Sequence, residues 1–250
     1  MSAFISYQHL AQVYDRLMTE APYDQWIDYA QRIWAGRQQK PVKVADLACG
    51  TGSISIPLAG LGYEVTGIDL SEEMLAVTYD KAREKSLSIQ LLHQDMRDLA
   101  LPYEVDAIVS FCDSLNYLTE PGDILQTFRR VHQALKPGGV FLFDVHSIYK
   151  INHVFADQTF TLVEDDICYI WDCSLVGEEK VTHDLTIFVK EGQLYKRFEE
   201  MHVQQGYSHE AIVGWLEEAG FRLIDCSADF TEEAPTDESE RIFYAAEKMR

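Results

Sequence analysis

The sequence predicts an α/β fold, in which an open parallel sheet carries helices on both faces and a small antiparallel β insertion. Between residues 42 and 145, short apolar segments alternate with segments of helical periodicity, a pattern typical of β–α–β units. After residue 147, strand-like segments follow one another across short turns, which indicates antiparallel pairing. A chain of 250 residues with 47% apolar side chains is long enough for one such domain with an insertion.

The first half of the chain supplies five predicted strands and three predicted helices. The strands are expected at residues 42–48, 63–68, 88–92, 107–112 and 139–145. The helices are expected at residues 53–61, 71–86 and 121–135. Ser71 is a suitable N-cap for the second helix, and Glu72 and Glu73 suit its dipole. The Pro137-Gly138 pair ends the third helix and turns the chain into the fifth strand.

The second half begins with the insertion and then returns to the main sheet. Insertion strands are expected at residues 159–163, 168–176, 182–190 and 193–204. Glu191-Gly192 has the composition of a hairpin turn. Ser208 and Gly220 mark the start and stop of a helix, which strands at 221–228 and 241–247 follow. The predicted division is a helical, aromatic segment over 1–36, an α/β domain over 37–146 and 207–250, and the insertion over 147–206.

Charge and cysteine usage exclude several classes of function. The chain has 41 acidic and 21 basic residues, a net charge of −20, which disfavours nucleic acids and anionic membranes as partners. Five scattered cysteines without a C-x-x-C pair indicate reduced thiols. Because the sequence also has no signal segment and no long apolar run, we expect a cytoplasmic protein. The dispersed histidines and the lack of H-E-x-x-H predict no metal site.

A glycine-containing loop at residues 46–52 joins the first strand to the first helix of the sheet. Gly50 and Gly52 allow a ligand to approach the backbone, and Asp69, at the end of the second strand, suits ribose hydroxyls. A dinucleotide site would need a third glycine, and a P-loop would need G-K-[ST]. Asp46 is an awkward neighbour for a pyrophosphate and a natural one for an ammonium group. The pattern favours a nucleoside with a positively charged, amino-acid-like tail.

Four motifs follow one another along the chain: D-L-A-C-G-T-G at 46–52, G-I-D-L-S-E-E-M-L at 67–75, Gln94-Asp95-Met96, and L-K-P-G-G at 135–139. In this order they resemble the motifs of the class I S-adenosylmethionine-dependent methyltransferases, with Ala48 in place of the commonest glycine. The resemblance implies a Rossmann-like sheet of seven strands, mostly parallel, whose last strand is antiparallel. It also implies S-adenosylmethionine as cofactor, with S-adenosylhomocysteine as product. The cofactor-binding residues that it implies are Tyr14, Asp46, Ala48, Cys49, Gly50, Gly52, Asp69, Leu70, Met74, Gln94, Asp95, Met96 and Phe111.

Two further segments are similar to parts of glycine- and sarcosine-methylating relatives. Tyr14-Asp15-Arg16 resembles a segment that folds over the cofactor in those proteins, so we expect residues 1–36 to cover it. The β-rich insertion at 147–206 also occurs in that branch, where it forms the roof of the substrate pocket. Neither feature identifies the methyl acceptor.

The candidate substrate-side residues follow the fourth and fifth strands, whose carboxyl ends form the ligand edge of such a sheet. His146 is the candidate base, with a buried loop histidine as the alternative. Asp113 is a candidate to hold an ammonium group, or else a helix N-cap. Asn116 and Tyr117 are expected to line the pocket or to pack beside it. His146, Asp113 and Tyr117 are thus the catalytic candidates, and all four are candidates for substrate binding.

These features predict in-line methyl transfer from S-adenosylmethionine to a small amine- or hydroxyl-bearing acceptor, without a metal. Such a reaction needs alignment and a dry site more than a strong base. Two alternatives remain at this point: a protein or RNA acceptor for the same chemistry, and a non-catalytic protein that binds the cofactor for sensing or assembly.

Overall fold

The computed structural model describes residues 11–37 and 40–249. The first ten residues of the predicted amino-terminal segment therefore lie outside the described residues. The rest of that segment forms helices α1 (Ala11–Leu17) and α2 (Tyr23–Ala35). Helix α2 has one apolar face, on which Trp26, Ala30 and Trp34 are buried against the sheet. Residues 18–22 between these two helices form a turn and an irregular link.

Seven strands form the main sheet, and their order confirms the predicted architecture. They are β1 (Lys43–Leu47), β2 (Glu64–Asp69), β3 (Gln90–His93), β4 (Val105–Ser110), β5 (Leu135–His146), β10 (Phe221–Ala228) and β11 (Arg241–Lys248). The order across the sheet is β10-β11-β5-β4-β1-β2-β3. Only β11 runs antiparallel to its neighbours, pairing with β5 and β10. The carboxyl ends of β1, β2, β4 and β5 consequently meet at one edge.

Both faces of this sheet are covered by helices. They are α3 (Ser55–Gly60), α4 (Glu72–Glu84), α5 (Pro121–Ala134) and α6 (His209–Glu218). Side chains of β5 point alternately to the two faces of the sheet and so contribute to two separate cores. Phe141 and Phe143 pack with α5 and α6 on one face, and Val140 and Leu142 pack with α2 and α3 on the other. The oxygen of the Ser71 side chain accepts the Met74 amide, as expected of an N-cap. None of the described helices is both long and apolar enough to cross a membrane.

The insertion forms a separate antiparallel sheet, as predicted. Its strands, in spatial order, are β6 (Thr159–Val163), β7 (Ile167–Gly177), β8 (Lys180–Glu191) and β9 (Leu194–Gln205). Gly192 turns the β8–β9 hairpin with a φ of 64°. The sequence analysis missed a short helix at Lys150–Phe155, whose Ile151 and Phe155 are buried against Cys173 and Val181. Six residues are too few to display a helical period.

The predicted turn at residues 136–139 is wrong in detail. Strand β5 begins at Leu135, immediately after α5, and residues 136–139 lie within the strand. Val105 pairs with Leu135 while Ala107 pairs with Val140, so the extra residues form a bulge. Gly138, with a φ of 77°, supplies the left-handed conformation that such a bulge requires.

Candidate active site

The loop between β1 and α3 is tied to β2 by a single carboxylate. One oxygen of Asp69 accepts the Gly50 amide at 2.8 Å, and the other accepts the Ser71 amide at 2.8 Å. The Cys49 amide also donates to the Ile68 carbonyl at 2.9 Å. Asp69 therefore fixes both the glycine loop and the start of α4 at the carboxyl edge of the sheet.

The two glycines of the loop are needed for different structural reasons. Both have left-handed φ angles, 55° for Gly50 and 81° for Gly52. A Cβ on Gly52 would lie 2.8 Å from the Thr78 Cγ2 atom and 3.1 Å from the Ile56 Cδ1 atom, whereas one on Gly50 would meet nothing within 4 Å. Ala48 has a φ of 61°, so alanine occupies a position that favours glycine.

A cavity of about 370 Å³ lies over this loop, at the carboxyl ends of β1, β2 and β4. Twelve of the thirteen predicted cofactor residues line it, namely Tyr14, Asp46, Ala48, Cys49, Gly50, Asp69, Leu70, Met74, Gln94, Asp95, Met96 and Phe111. Gly52 lies behind the wall and shapes the loop instead. Sequence reasoning missed lining residues that lie outside the four motifs and outside the segment at 111–117: Tyr23, Ser53, Ile54, Arg97, Leu118, Thr119 and Asp123.

Two carboxyl groups, one buried and one partly buried, give this cavity its electrostatic character. Asp46 is fully buried, which raises its pKa to about 7, and its side chain accepts the Ser55 hydroxyl at 2.6 Å. Burial also raises the pKa of Asp69. A positive ligand group beside Asp46 would favour its ionised form, and a phosphate would disfavour it. The arrangement therefore suits a ligand that carries positive charge.

At the corner after β3, the side chains of Gln94 and Asp95 form hydrogen bonds with other parts of the protein. The Gln94 side chain lies at the cavity wall, but its amide forms two hydrogen bonds with the Ala100 backbone, at 3.0 and 3.1 Å. Asp95 is held by the guanidinium of Arg97, whose hydrogen bonds lower the pKa of that carboxyl. This part of the cavity wall thus presents an ionised Asp95–Arg97 pair, while the Gln94 amide is engaged by the backbone.

Helix α1 connects the glycine loop to the insertion. Asp15 accepts the Thr51 hydroxyl and pairs with Lys81, both at 2.5 Å, while Arg16 pairs with Asp166 at 2.7 Å. Tyr14, which lines the cavity, and Leu17 also pack against Ile167, Ile187 and Val189 of the insertion. On the other wall, the ring of Tyr117 meets His202 of β9 edge-on, at 5.8 Å between centroids. The insertion therefore packs against two aromatic side chains of the cavity wall.

Of the four candidate substrate residues, only Tyr117 lines the cavity. Asn116 donates to the backbone carbonyls of His146 and Gln205 and accepts the His146 amide, so it links three segments of the chain. The Asp113 carboxylate points toward Arg241 and Gln204, at 3.0 and 2.8 Å. Asp113 occupies the N-cap position of a short 3-10 helix at Ser114–Tyr117, but its side chain makes no capping hydrogen bond.

His146 is buried in the same polar cluster and outside the cavity lining. Its Nε2 atom lies 2.9 Å from Arg241, and its Nδ1 atom lies 3.2 Å from the Gln204 side-chain oxygen. Burial lowers its pKa to about 3, so the ring is neutral and weakly basic. This geometry favours the alternative that His146 is a buried structural histidine.

Comparisons with known proteins agree with this site. A family profile described as a methyltransferase domain matches residues 44–139. The chain is 47% identical to YqeM of Bacillus subtilis (strain 168), named provisionally as a methyltransferase, over 98% of each chain. The structure of an S-adenosylmethionine-dependent methyltransferase from Clostridium acetobutylicum ATCC 824 matches with a TM-score of 0.90 at 30% identity, covering 98% of this chain and 99% of that one. The sugar N-methyltransferase KedS8 from Streptoalloteichus sp. ATCC 53650 is similar in fold, with a TM-score of 0.80 at 16% identity, covering 100% of this chain and 96% of that one.

The chain belongs to the class I S-adenosylmethionine-dependent methyltransferases. S-adenosylmethionine is its cofactor, and the positive charge of that molecule agrees with the acidic cavity beside Asp46. Among residues 11–37 and 40–249, the methyltransferase has no group of three or more histidine, cysteine, aspartate or glutamate side chains that could hold a metal ion.

The two loop glycines give a matched pair of variants. Gly52→Ala is expected to destabilise the methyltransferase by about 2–4 kcal/mol, because a left-handed alanine adds a clash with Thr78. Gly50→Ala forces alanine into the left-handed conformation but adds no clash, so it is expected to lower the free energy of unfolding by about 1–2 kcal/mol. Urea unfolding measures both changes. Equal losses would contradict the close approach of Gly52 to α4.

The buried His146 makes stability depend on pH. The unfolded chain protonates this histidine below its ordinary pKa of 6.5, whereas the folded protein does so only near 3. Stability therefore falls as pH is lowered through this window, by roughly 2 kcal/mol between pH 7 and pH 5 from this group. Urea unfolding at both pH values should show that His146→Asn loses less stability on acidification than the wild type. If His146→Asn loses as much unfolding free energy between pH 7 and pH 5 as the wild type does, His146 is not buried as a neutral ring.

Proposed function

We propose that this methyltransferase methylates a small, amine- or hydroxyl-bearing molecule by in-line displacement. The observation that carries the proposal is the double contact of the insertion with the cavity wall, through Tyr14 on one side and Tyr117 on the other. An insertion that packs so closely against the cavity wall leaves room for a compact acceptor rather than for a folded protein or an RNA helix. In this proposal residues 1–36 cover the cofactor and residues 147–206 cover the acceptor.

The proposed cofactor placement assigns each wall of the cavity a role. Asp69 would accept the ribose hydroxyls, using lone pairs that the Gly50 and Ser71 amides leave available. Met74 and its apolar neighbours Leu70 and Met96 would contact the adenine. When bound, S-adenosylmethionine supplies a methyl group activated by the sulfonium.

The buried Asp46 carboxyl would face the positively charged tail of the cofactor. Gly50, Cys49 and Ala48 would allow the backbone to approach that tail closely. Phe111 and Tyr14 would close the cavity against water from opposite sides. Exclusion of water strengthens each electrostatic contact inside the cavity and prevents competing hydrolysis.

Catalysis in this proposal comes from alignment. A bond forms between the acceptor nitrogen or oxygen and the methyl carbon while the carbon–sulfur bond breaks, which leaves a neutral thioether and an acceptor that releases its proton. Fixed orientation of two reactants contributes on the order of 7–11 kcal/mol to lowering such a barrier. Tyr117 is the predicted substrate residue that is placed to orient an acceptor, since Asp113, Asn116 and His146 face the polar cluster.

The likeness to the sugar N-methyltransferase supports a small acceptor. That protein matches over the whole of this chain, so its fold includes the insertion. Both chains thus share the part of the fold that would enclose an acceptor.

A labelled-methyl experiment tests the proposal. The purified protein is incubated with S-adenosylmethionine carrying a labelled methyl group and with a bacterial extract, which is then separated into metabolite, protein and RNA fractions. We expect label in the metabolite fraction, and at least tenfold less of it with Asp69→Ala when S-adenosylmethionine is kept below saturation. Label in protein or RNA would overturn the small-acceptor proposal. Tight cofactor binding without any transfer would favour a sensor or assembly role.

Cofactor affinity should depend strongly on Asp69. Asp69→Ala is expected to weaken S-adenosylhomocysteine binding by roughly 1.5–3 kcal/mol, because a charged hydrogen-bond acceptor is lost and the loop amides lose their partner. Asp80→Ala, which removes an exposed carboxylate from α4, is the control and should leave affinity unchanged. Calorimetric titration measures both. Equal affinities for the Asp69 variant and the wild type would argue against the placement.

Cofactor affinity should also depend on pH through Asp46. Since its pKa is about 7, the carboxyl is mostly protonated at pH 6 and mostly ionised at pH 8. A cationic ligand prefers the ionised form, so S-adenosylmethionine should bind about tenfold more tightly at pH 8 than at pH 6 through this group. Titrations across this range should show a flatter profile for Asp46→Asn. Parallel profiles for the two proteins would exclude Asp46 from contact with the positive tail.

A further inference from the structure

A continuous cluster of buried and partly buried polar side chains joins the insertion to the end of β4. From the insertion it takes Trp171, Cys173, His183 and Gln204, and from the α/β domain it takes Asp113, Asp144, His146 and Arg241. The methyl-transfer proposal uses none of these residues. Buried polar groups need complete hydrogen bonding, so the direction of each bond in the cluster can be derived.

The hydrogen bonds from the insertion end run toward Gln204. The Trp171 indole nitrogen can only donate, and it lies 3.1 Å from His183 Nδ1. His183 Nδ1 must therefore accept, and the neutral ring carries its proton on Nε2. That Nε2 atom lies 3.2 Å from the Gln204 side-chain oxygen, to which it donates. Burial lowers the pKa of His183, in agreement with a neutral ring.

The hydrogen bonds from the other end reach the same oxygen. His146 Nε2 lies 2.9 Å from Arg241, which can only donate, and 3.3 Å from an Asp113 carboxylate oxygen. Because the Gln204 oxygen beside Nδ1 can only accept, Nδ1 is the nitrogen that donates, and Nε2 accepts from Arg241. His146 consequently carries its proton on Nδ1 and donates it to the Gln204 oxygen at 3.2 Å. With its oxygen accepting two imidazoles, Gln204 has its amide nitrogen fixed toward Asp113, at 2.8 Å. A side-chain amide, which combines an acceptor and a donor, satisfies all three partners, whereas a carboxylate or an apolar side chain would not.

Asp113 is where this cluster meets the cavity. Cys112 and Asp113 are consecutive residues with left-handed φ angles of 58° and 53°, a strained conformation for side chains other than glycine. The turn is held by Gln204 and Arg241 at the Asp113 carboxylate and by Asp144, which accepts the Asp113 amide at 3.1 Å. The residues on either side of Asp113, Cys112 and Ser114, line the cavity. The turn is therefore part of the cavity wall.

We propose that Gln204 is a positioning residue that couples the insertion to the cofactor cavity, by holding Asp113 and with it the strained turn at residues 112–113. Arg241 is the countercharge that allows Asp113 and Asp144 to be buried together. A shift of β9 changes the cavity wall through Gln204, and occupation of the cavity changes the insertion by the same free energy. This inference rests on the proposed placement of the cofactor in the cavity.

The wild-type protein provides the first test, through nitrogen-15 spectra of its imidazole and indole groups. At pH 7 the Nδ1–H tautomer is expected for His146 and the Nε2–H tautomer for His183. Adding S-adenosylhomocysteine should shift the Trp171 indole resonance, while that of Trp215, on α6 and outside the cluster, stays fixed. Opposite tautomers, or a Trp171 resonance that is insensitive to the bound ligand, would overturn the proposal without requiring any variant to fold.

A double-mutant cycle provides the second test, with S-adenosylhomocysteine affinity as the readout. Gln204→Met removes the hydrogen bonds of Gln204 to His146, His183 and Asp113 at similar side-chain volume. Asp113→Asn leaves one acceptor oxygen where Arg241 and Gln204 need two, and asparagine tolerates the left-handed φ of this position. Each single change is expected to weaken binding about tenfold, and the double change also about tenfold, because both break the same link. Glu199→Gln, on the exposed face of β9, is the control and should bind as the wild type does.

The outcomes separate this inference from the one on which it rests. A wild-type protein that does not bind S-adenosylhomocysteine would overturn the cofactor placement together with the coupling. A wild type that binds, with a double variant weakened about a hundredfold, would show independent effects and overturn the coupling alone. A Gln204→Met protein that folds and binds S-adenosylhomocysteine within twofold of the wild type would also overturn the coupling alone.

Discussion

The Asp69 carboxylate is the interaction on which the ligand edge of this methyltransferase depends. Its two oxygens hold the amides of Gly50 and Ser71, and so it joins the glycine loop to the first turn of α4. Burial raises its pKa, and these two amides are the donors that stabilise its charged form in that setting. A neutral or shorter side chain at this position would release both walls of the cavity at once.

The covering of the cavity depends on packing more than on charge. The Arg16–Asp166 ion pair is well exposed, and such pairs contribute about 0–1 kcal/mol. Tyr14 and Leu17 instead bury apolar surface against the insertion, a contact that a short helix makes and releases with modest free energy.

Local signals predicted the fold and the cofactor side of the site, because caps, glycine turns and short strands are encoded within a few residues. The loop at 46–52 and Asp69 are of this kind. The acceptor side depended on distant partners that no local pattern indicates. His146 lies at the predicted edge, but Arg241 and Gln204, 95 and 58 residues away, hold its ring in the polar cluster.

Hydrogen exchange of the backbone amides, with and without S-adenosylhomocysteine, tests the central claim that the cofactor lies between the glycine loop and Asp69. The account predicts slower exchange in peptides that cover residues 46–54, 69–75 and 94–97, and in α1, with no such change on adding NAD. Protection confined to other parts of the chain, or the same pattern with NAD, would contradict it.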